Sequence, residues 1–522
     1  ALMLDGESRK GFLRELVTNR TVYVVVTALI ASILMICLFF TVIGETQPFE
    51  DLVEGSSVAE TESSAELSLQ SSAYDQSTAA SSAEMYSTVE ESSVESYTDE
   101  SSDLFSSFTE DNQTKSESFM FVHITDVHGW VAGHKHQESY NADMGDFASL
   151  MEHLLVQDKT VMLIDSGDII EGTGISDVPE IHGEKLFPIM QKIPGFAALT
   201  IGNHDIGRAN SVELMERDFI PFYNSGNKDS HGRYLTTNSL KDDGELLGNS
   251  YSVRVTAQGN KVLFLGFLYN FEYYANNTEV LPINSAIEEE WFQQAMQESD
   301  VDLIVVTAHV DPQSSYLDEI YNSIREHHSD TSLIIFSGHR HILYYKQLDE
   351  NAHTIESGRY FEHIGLVEFN FEDGTMKEFS HEWINASLSA FHELSEKQED
   401  NFLTDLGREV KDMISNAMND LHLSDVLGCS PLEYKTSASF FDEDSLYRFY
   451  LDSVLPTVVD QGATEATGFF LCNSATLRYN LYSGEVTRND VYTVNPFKDL
   501  FYYLPSLTGE QIHSLIGEMS RK

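Results

Sequence analysis

Positive charge is scarce in this chain: 31 Lys and Arg stand against 84 Asp and Glu, a formal net charge of -53 over 522 residues. So strong an acidic excess disfavours any sequence-independent grip on the phosphate backbone of DNA or RNA, and a nucleic-acid polymer is excluded as partner. Cysteine is scarcer still. Cys37, Cys429 and Cys472 are the only three, and no CxxC pair occurs, which removes a thiolate zinc site. Cys37 lies in an apolar run, while Cys429 and Cys472 either form one disulfide in an oxidising compartment or remain free thiols. Neither a disulfide nor a structural metal is needed for folding, because this length supplies two or three domains with ample cores. Internal repeats are absent.

One long apolar run is present. Residues 21–44 carry no charge over 24 positions and are long enough to cross a hydrocarbon core as a helix. A cleavable signal peptide has a shorter apolar region with small residues before the cut, so an uncleaved transmembrane signal anchor is expected. Arg9, Lys10, Arg14 and Arg20 precede it, and no Lys or Arg follows until Lys115. Residues 1–20 are therefore expected in the cytosol and the large remainder in a lumen or outside the cell, at a vacuole or the cell surface. Residues 45–117 hold 19 Ser and 18 Asp or Glu against one basic residue, the composition of a disordered acidic stalk. Glycosylation triplets start at Asn112, Asn276 and Asn385 on the lumenal side, and at Asn19 on the cytosolic side. The first residue is not Met and the last is Lys522, inside what reads as a second domain, so a fragment is expected.

From residue 118 short apolar runs alternate with amphipathic stretches. Strands are expected at 119–124, 160–164, 196–201, 301–306 and 332–336, with helical patterns at 147–156 and 287–296. Strands alternating with helices imply an α/β domain over 118–390. A second α/β unit is expected over 391–522, with the boundary in the polar stretch 390–400.

Each expected strand is followed by chemically capable residues: Asp126 and His128, then Asp168, then Asn203, His204 and Asp205, then His309, then His339 and His341. In open α/β sheets ligands bind beyond the carboxyl ends of strands, so five such turns can share one crevice. Carboxylate, imidazole and amide oxygen together suit two divalent cations of the Zn, Mn or Fe type better than Ca. Glycines precede Asp168, Asn203 and His339, allowing sharp turns and close backbone approach. A carboxylate such as Asp168 is able to bridge two cations. Any one of these motifs is unspecific; five in order at strand ends are not. His134, His136, His182, His231, His353 and His363 lack such a setting and are read as core or surface histidines.

The series D-x-H, G-D, G-N-H-D, H and G-H-x-H resembles the calcineurin-like metallophosphoesterase superfamily over residues 119 to 370. The resemblance implies a sandwich of two mixed sheets flanked by helices. It implies one metal on Asp126, His128, Asp168 and His341, and another on Asp168, Asn203, His309 and His339. His204 would stand beside the phosphate as proton donor or transition-state stabiliser, with Asp205 as a candidate to orient it.

Residues 473–478 (Asn-Ser-Ala-Thr-Leu-Arg), 484–487, 490–492, 495–497 and 507–509 resemble the C-terminal domain of 5'-nucleotidases. By that resemblance Asn473 and Arg478 would contact substrate; read directly, Arg478 after a strand-like 468–472 is either an anion clamp or a surface Arg on a strand edge. The chain departs from the family pattern in having Ser474, Ala475 and Thr476 where glycines are usual, and in shortening the segment after His204. The family's nucleobase-stacking aromatic would come after residue 522. The expected activity is hydrolysis of a small-molecule phosphate ester, a nucleotide above all. The alternatives are a cyclic-nucleotide phosphodiesterase or nucleotide-sugar hydrolase with the same metals, and a surface sensor or adhesion protein on a relic fold. If the topology holds, Asn276 or Asn385 carries glycan in cells, and deglycosylation shifts the protein's mobility; a large domain accessible from the cytosol would overturn the orientation.

Overall fold

The computed structural model describes residues 24–28, 116–225, 232–372, 374–458, 469–471, 474–497, 500–503 and 508–519. Two six-stranded sheets are built from β1 (Ser116–Ile124), β2 (Thr160–Asp165), β3 (Phe196–Thr200), β4 (Tyr234–Leu235), β5 (Tyr251–Val255), β6 (Lys261–Leu268), β7 (Leu303–His309), β8 (Ser332–Ser337), β9 (Leu343–Asp349), β10 (Ala352–Ser357), β11 (His363–Glu372) and β12 (Thr375–Asn385). The five expected strands are β1, β2, β3, β7 and β8. The fourth is displaced from 301–306, and His309 is its last residue.

The sheets have orders β12-β11-β1-β2-β3-β4 and β9-β10-β8-β7-β6-β5. β1 to β4 run parallel in the first, as do β6, β7, β8 and β10 in the second. Antiparallel strands occupy the remaining places. Parallel neighbours deliver their carboxyl ends to one edge, which is where the chemically capable residues follow.

Side chains alternate with period two, so each strand serves two cores. Phe119 and Phe121 of β1, Leu303 and Val305 of β7, and Ile334 and Phe336 of β8 fill the space between the sheets. Met120, Val122 and Ile124 face outward with α1 (Met144–Leu155). Ile304, Val306, Leu333 and Ile335 face outward with α2 (Glu290–Met296) and α3 (Ser315–His327). Burial on both faces is why these strands read as continuous apolar runs. The expected sandwich of two mixed sheets flanked by helices is the observed one.

The expected break at 390–400 is not a break in packing. Helices α4 (Leu388–Ser395) and α5 (Asp405–Asp420) place Phe391, Val410 and Ile414 in the same core as Phe147 of α1. The two helices α1 and α5 cross at glycines: a Cβ on Gly145 would lie 2.5 Å from the Gly407 carbonyl oxygen. Lys411 of α5 bonds both acids at the start of α1, Asp143 at 2.7 Å and Asp146 at 2.8 Å. The polar stretch is the outer surface of this helical pair. A separate core, around Leu446, Tyr450, Leu455 and Leu477, lies beyond it in the chain.

Of the expected membrane span, Val24–Ala28 is described, and it is an extended strand between Phe469–Leu471 and Leu500–Tyr503. Among the described residues no helix is long and apolar enough to cross a membrane. The rest of residues 21–44, the tail 1–20 and the stalk up to 115 lie outside the described residues, as do Cys37, Asn112, His231, Cys472 and Asn473. Ser116 and Glu117, counted with the stalk, begin β1. Cys429 is exposed on the Val426–Ser430 strand, and the glycosylation triplets at Asn276 and Asn385 start at exposed asparagines.

Phe121 is fully buried between the sheets, with ring centroids 5.5 Å from Phe336 and 6.0 Å from Phe369. Phe121→Ala is expected to destabilise this domain by about 3–5 kcal/mol, read as a lower urea midpoint at unchanged slope.

Candidate active site

Backbone conformation marks the site before any side chain does. Twelve non-glycine residues among those described have positive φ, and seven of them meet at the strand ends: Asp126, His128, Asp168, Glu171, His339, His341 and Tyr360. A left-handed turn costs a residue with a Cβ about 1–2 kcal/mol, and such outliers concentrate where geometry is imposed by function. The turns are stitched together: Asp126 N–H donates to the Gly167 carbonyl at 2.9 Å, and His128 N–H to that of Asp168 at 2.9 Å. Gly202 is obligatory, since a Cβ there would stand 2.1 Å from Asp168 Oδ1.

The imidazoles are oriented from behind. His128 Nδ1 donates to the Glu171 carbonyl at 2.8 Å, and His309 Nδ1 to that of Ser166 at 2.8 Å. Nε2 of each ring is therefore the atom that faces the centre. His309 Nε2 lies 3.1 Å from Asp168 Oδ2, and His128 Nε2 lies 3.6 Å from the same oxygen. His341 Nε2 is 3.0 Å from Asp126 Oδ1. His339 approaches by its ring, 5.2 Å from that of His309, with Tyr269 stacked on it at 4.3 Å. Asn203 is buried, and its Oδ1 has no hydrogen-bond partner among the described residues. His128 Nε2 and His341 Nε2 face each other at 3.2 Å.

This donor set fits divalent cations. A buried acceptor without a partner, Asn203 Oδ1, calls for one. Asp126, His128 and His341 form one convergent group, and Asp126, Asp168 and His309 another. Burial would raise the Asp168 carboxyl, but the charges of His309 and His204 hold it well below the usual carboxylate range. Burial would lower His309, and Asp168 and Asp126 instead push it up to about 10.

His204 stands at the edge of this group, its ring 4.9 Å from that of His128. Its Nδ1 meets Glu171 Oε2 at 2.7 Å. Burial lowers its pKa, but Asp168 and the Glu171 bond raise it above the ordinary value on balance. Burial acts against the Glu171 charge, yet the His204 bond brings that carboxyl down to about 2. Asp205 does not take the role of orienting His204. Its carboxylate is saturated by four backbone N–H groups, from Gly202 at 2.8 Å, Asp168 at 3.0 Å, Ile169 at 2.9 Å and Ile170 at 3.2 Å. It fixes the Asp168 turn, and burial with the nearby Asp168 charge pushes it up to about 7. The missed partner, Glu171, sits three residues after Asp168 in the same turn, which was the available signal.

The C-terminal part reaches the same centre. Arg478 donates from Nη2 to His128 Nε2 at 3.1 Å and from Nε to the Tyr360 hydroxyl at 2.9 Å. Phe497 lies 5.4 Å below its guanidinium and has its ring 6.1 Å from that of His204. Tyr360 was not anticipated; nothing in its local sequence distinguishes it.

A family model for calcineurin-like phosphoesterases matches residues 119–343, and one for the NAD nucleotidase C-terminal domain matches 434–522. An uncharacterized protein of Schizosaccharomyces pombe is 30% identical over 428 residues, 74% of this chain and 70% of that one. The chain belongs to the calcineurin-like metallophosphoesterases of the 5'-nucleotidase family. A crystal structure of a 5'-nucleotidase from Candida albicans is similar, with a TM-score of 0.66 and 27% identity over 73% of this chain and 71% of that one. A protein of Arthroderma benhamiae described as secreted is 27% identical over 77% of this chain and 67% of its own length.

As a metallophosphoesterase the chain is a metal-dependent hydrolase of phosphoric esters, and the sensor-on-a-relic-fold alternative is set aside. Glu171→Ala should lower kcat by about 10–100-fold with metal content retained. Asp205→Ala should instead lose metal, because the Asp168 turn loses four anchors. Metal analysis beside kcat separates the two; equal metal loss in both would remove the distinction.

Proposed function

We infer that this metallophosphoesterase hydrolyses nucleotides in the manner of a 5'-nucleotidase, on the lumenal or extracellular side of a membrane. The observation that carries the reading is Arg478. It is the residue of the C-terminal part that resembles a 5'-nucleotidase substrate contact, and its guanidinium lies 3.1 Å from a metal-ligand imidazole. The likeness to the Candida albicans 5'-nucleotidase supports the substrate class, and the secreted relative supports the compartment.

Asp126, His128 and His341 would hold one divalent cation and Asn203, His309 and His339 the other, with Asp168 shared; Zn, Mn or Fe suits these donors. Bound there, the cations supply Lewis-acid charge and activate water. The remaining steps belong to the protein. Arg478 offers a planar pair of N–H donors to the phosphoryl oxygens, and the Tyr360 hydroxyl holds its Nε. His204 gives its Nδ1 proton to the bond with Glu171, so Nε2 is left to protonate the leaving oxygen as the P–O bond breaks. Glu171 stays ionised and compensates the imidazolium until that transfer.

Asp168→Asn should release metal and reduce hydrolysis by more than the roughly 10–100-fold that residues orienting a ligand account for. The measurement is metal content together with phosphate release from nucleoside monophosphates, cyclic nucleotides and nucleotide sugars. Wild-type turnover in Asp168→Asn would sink the metal assignment. Turnover of cyclic nucleotides or nucleotide sugars alone would sink the nucleotidase reading.

A further inference from the structure

Behind His204 the charged network continues past Glu171. Each oxygen of the Glu171 carboxylate has a partner: Oε2 accepts from His204 Nδ1 at 2.7 Å, and Oε1 accepts from Arg208 Nε at 2.8 Å. Both partners come from the one segment that follows β3, so that segment grips the acid at both oxygens. The Glu171 backbone is held as well. Its N–H donates to Ser176 Oγ at 2.9 Å, and its carbonyl accepts from His128 Nδ1 at 2.8 Å. The gripping segment is itself anchored. The Ile206 carbonyl accepts from the Ala275 N–H at 2.8 Å, and the Ala209 carbonyl accepts from Asn277 Nδ2 at 3.1 Å. The Arg208 carbonyl accepts from the N–H groups of Ser211 and Val212, both at 3.1 Å, at the start of the short helix Ala209–Leu214.

The terminal torsion of a glutamate is broad, so a single hydrogen bond leaves the carboxylate plane free to turn. An anchor on the second oxygen removes that freedom. Charge acts in the same sense. A second buried acid, Asp177, is close by, with His182 Nδ1 3.5 Å from Asp177 Oδ1 and 3.7 Å from Glu171 Oε1. Neighbouring carboxylates disfavour each other's ionised form, and the guanidinium offsets this at Glu171. Between exposed side chains such an ion pair would carry little. Here the acid is buried, and its other oxygen holds the His204 imidazole.

We propose that Arg208 is a positioning residue for leaving-group departure: it locks the Glu171 carboxylate so that His204 Nε2 is aimed at the oxygen that leaves. The proposal rests on the role given to His204 in the hydrolase reading above and extends it by one residue. In the step the water oxygen bonds to phosphorus, and the bond from phosphorus to the leaving oxygen breaks with its electron pair on that oxygen. The leaving oxygen takes the Nε2 proton of His204. Over the turnover one water proton restores the imidazolium, and the other departs on inorganic phosphate. A loosened Glu171 impairs the transfer to the leaving oxygen, so the cost falls on esters whose leaving oxygen needs that proton.

The test uses the full metal-loaded chain, Arg208→Gln and Arg208→Lys, with adenosine monophosphate, phenyl phosphate and 4-nitrophenyl phosphate. The two aryl esters have nearly the same shape, but 4-nitrophenolate departs with little help from a proton. Arg208→Gln should lower kcat about ten-fold on adenosine monophosphate and phenyl phosphate, part of the roughly 10²–10⁴-fold that a placed proton donor contributes. On 4-nitrophenyl phosphate the loss should stay below about three-fold, with KM, metal content and thermal midpoint close to wild type. Arg208→Lys should recover part of the rate by restoring the charge. Equal slowing of the two aryl esters, no slowing of either, a rise in KM alone, or loss of metal would overturn the assignment. Wild-type protein that splits the aryl esters but leaves adenosine monophosphate intact would overturn the nucleotidase reading, while the aryl pair still decides for Arg208.

Discussion

Asp168 keeps a charged carboxylate in a place where only 1% of the residue meets solvent. Taking an anion out of water carries a penalty of several kcal/mol that must be met by close, well-aimed partners. His309 stands 3.1 Å from one oxygen, and the His204 N–H donates to the other at 2.8 Å. Those two partners come from different sheets, His309 from the end of β7 and His204 from the turn after β3. The backbone turns must therefore come close, and left-handed conformations at Asp126, His128, Asp168, His339 and His341 are how they do so. Such strain persists only where the surroundings over-determine it. Here the fully buried core between the sheets does that, which ties the site to Phe119, Phe121 and Phe336 although none of them touches a ligand.

The same dependence explains what could be read without coordinates. The meeting of five chemically capable turns was legible because each follows its strand at once, and strand ends in a parallel sheet meet at one edge. His204's partner was not legible. Asp205 is adjacent in sequence, but the turn sends its carboxylate inward to four N–H groups, while Glu171, at φ 67°, is brought round to the imidazole. Adjacency along a tight turn says little about which side a carboxylate faces. The packing of the helices after residue 387 onto the first core was not legible for a related reason. Residues 390–400 are polar because they are the outer side of a helical pair, and the apolar Phe391 and Val410 that pin it are too sparse to stand out.

Tyr360 shows how the two parts of the chain share one active centre. Its N–H donates to the Asp126 carbonyl at 2.7 Å, its hydroxyl accepts from Arg478, and its carbonyl accepts from His134 Nε2 at 2.8 Å. Burial brings the His134 pKa down to about 4, so the ring is neutral, with Nδ1 left as an acceptor. That nitrogen lies 3.0 Å from the hydroxyl of Tyr479, the residue next to Arg478. Two consecutive C-terminal residues are thus hung on one tyrosine, by its ring end and by its backbone. The tyrosine itself is bonded to the turn that carries the Asp126 carboxylate. Arg478 cannot leave its place beside His128 without breaking its bond to Tyr360, and Tyr360 cannot follow it without pulling on Asp126. Arg478 and the Asp126 turn are coupled through that single left-handed residue.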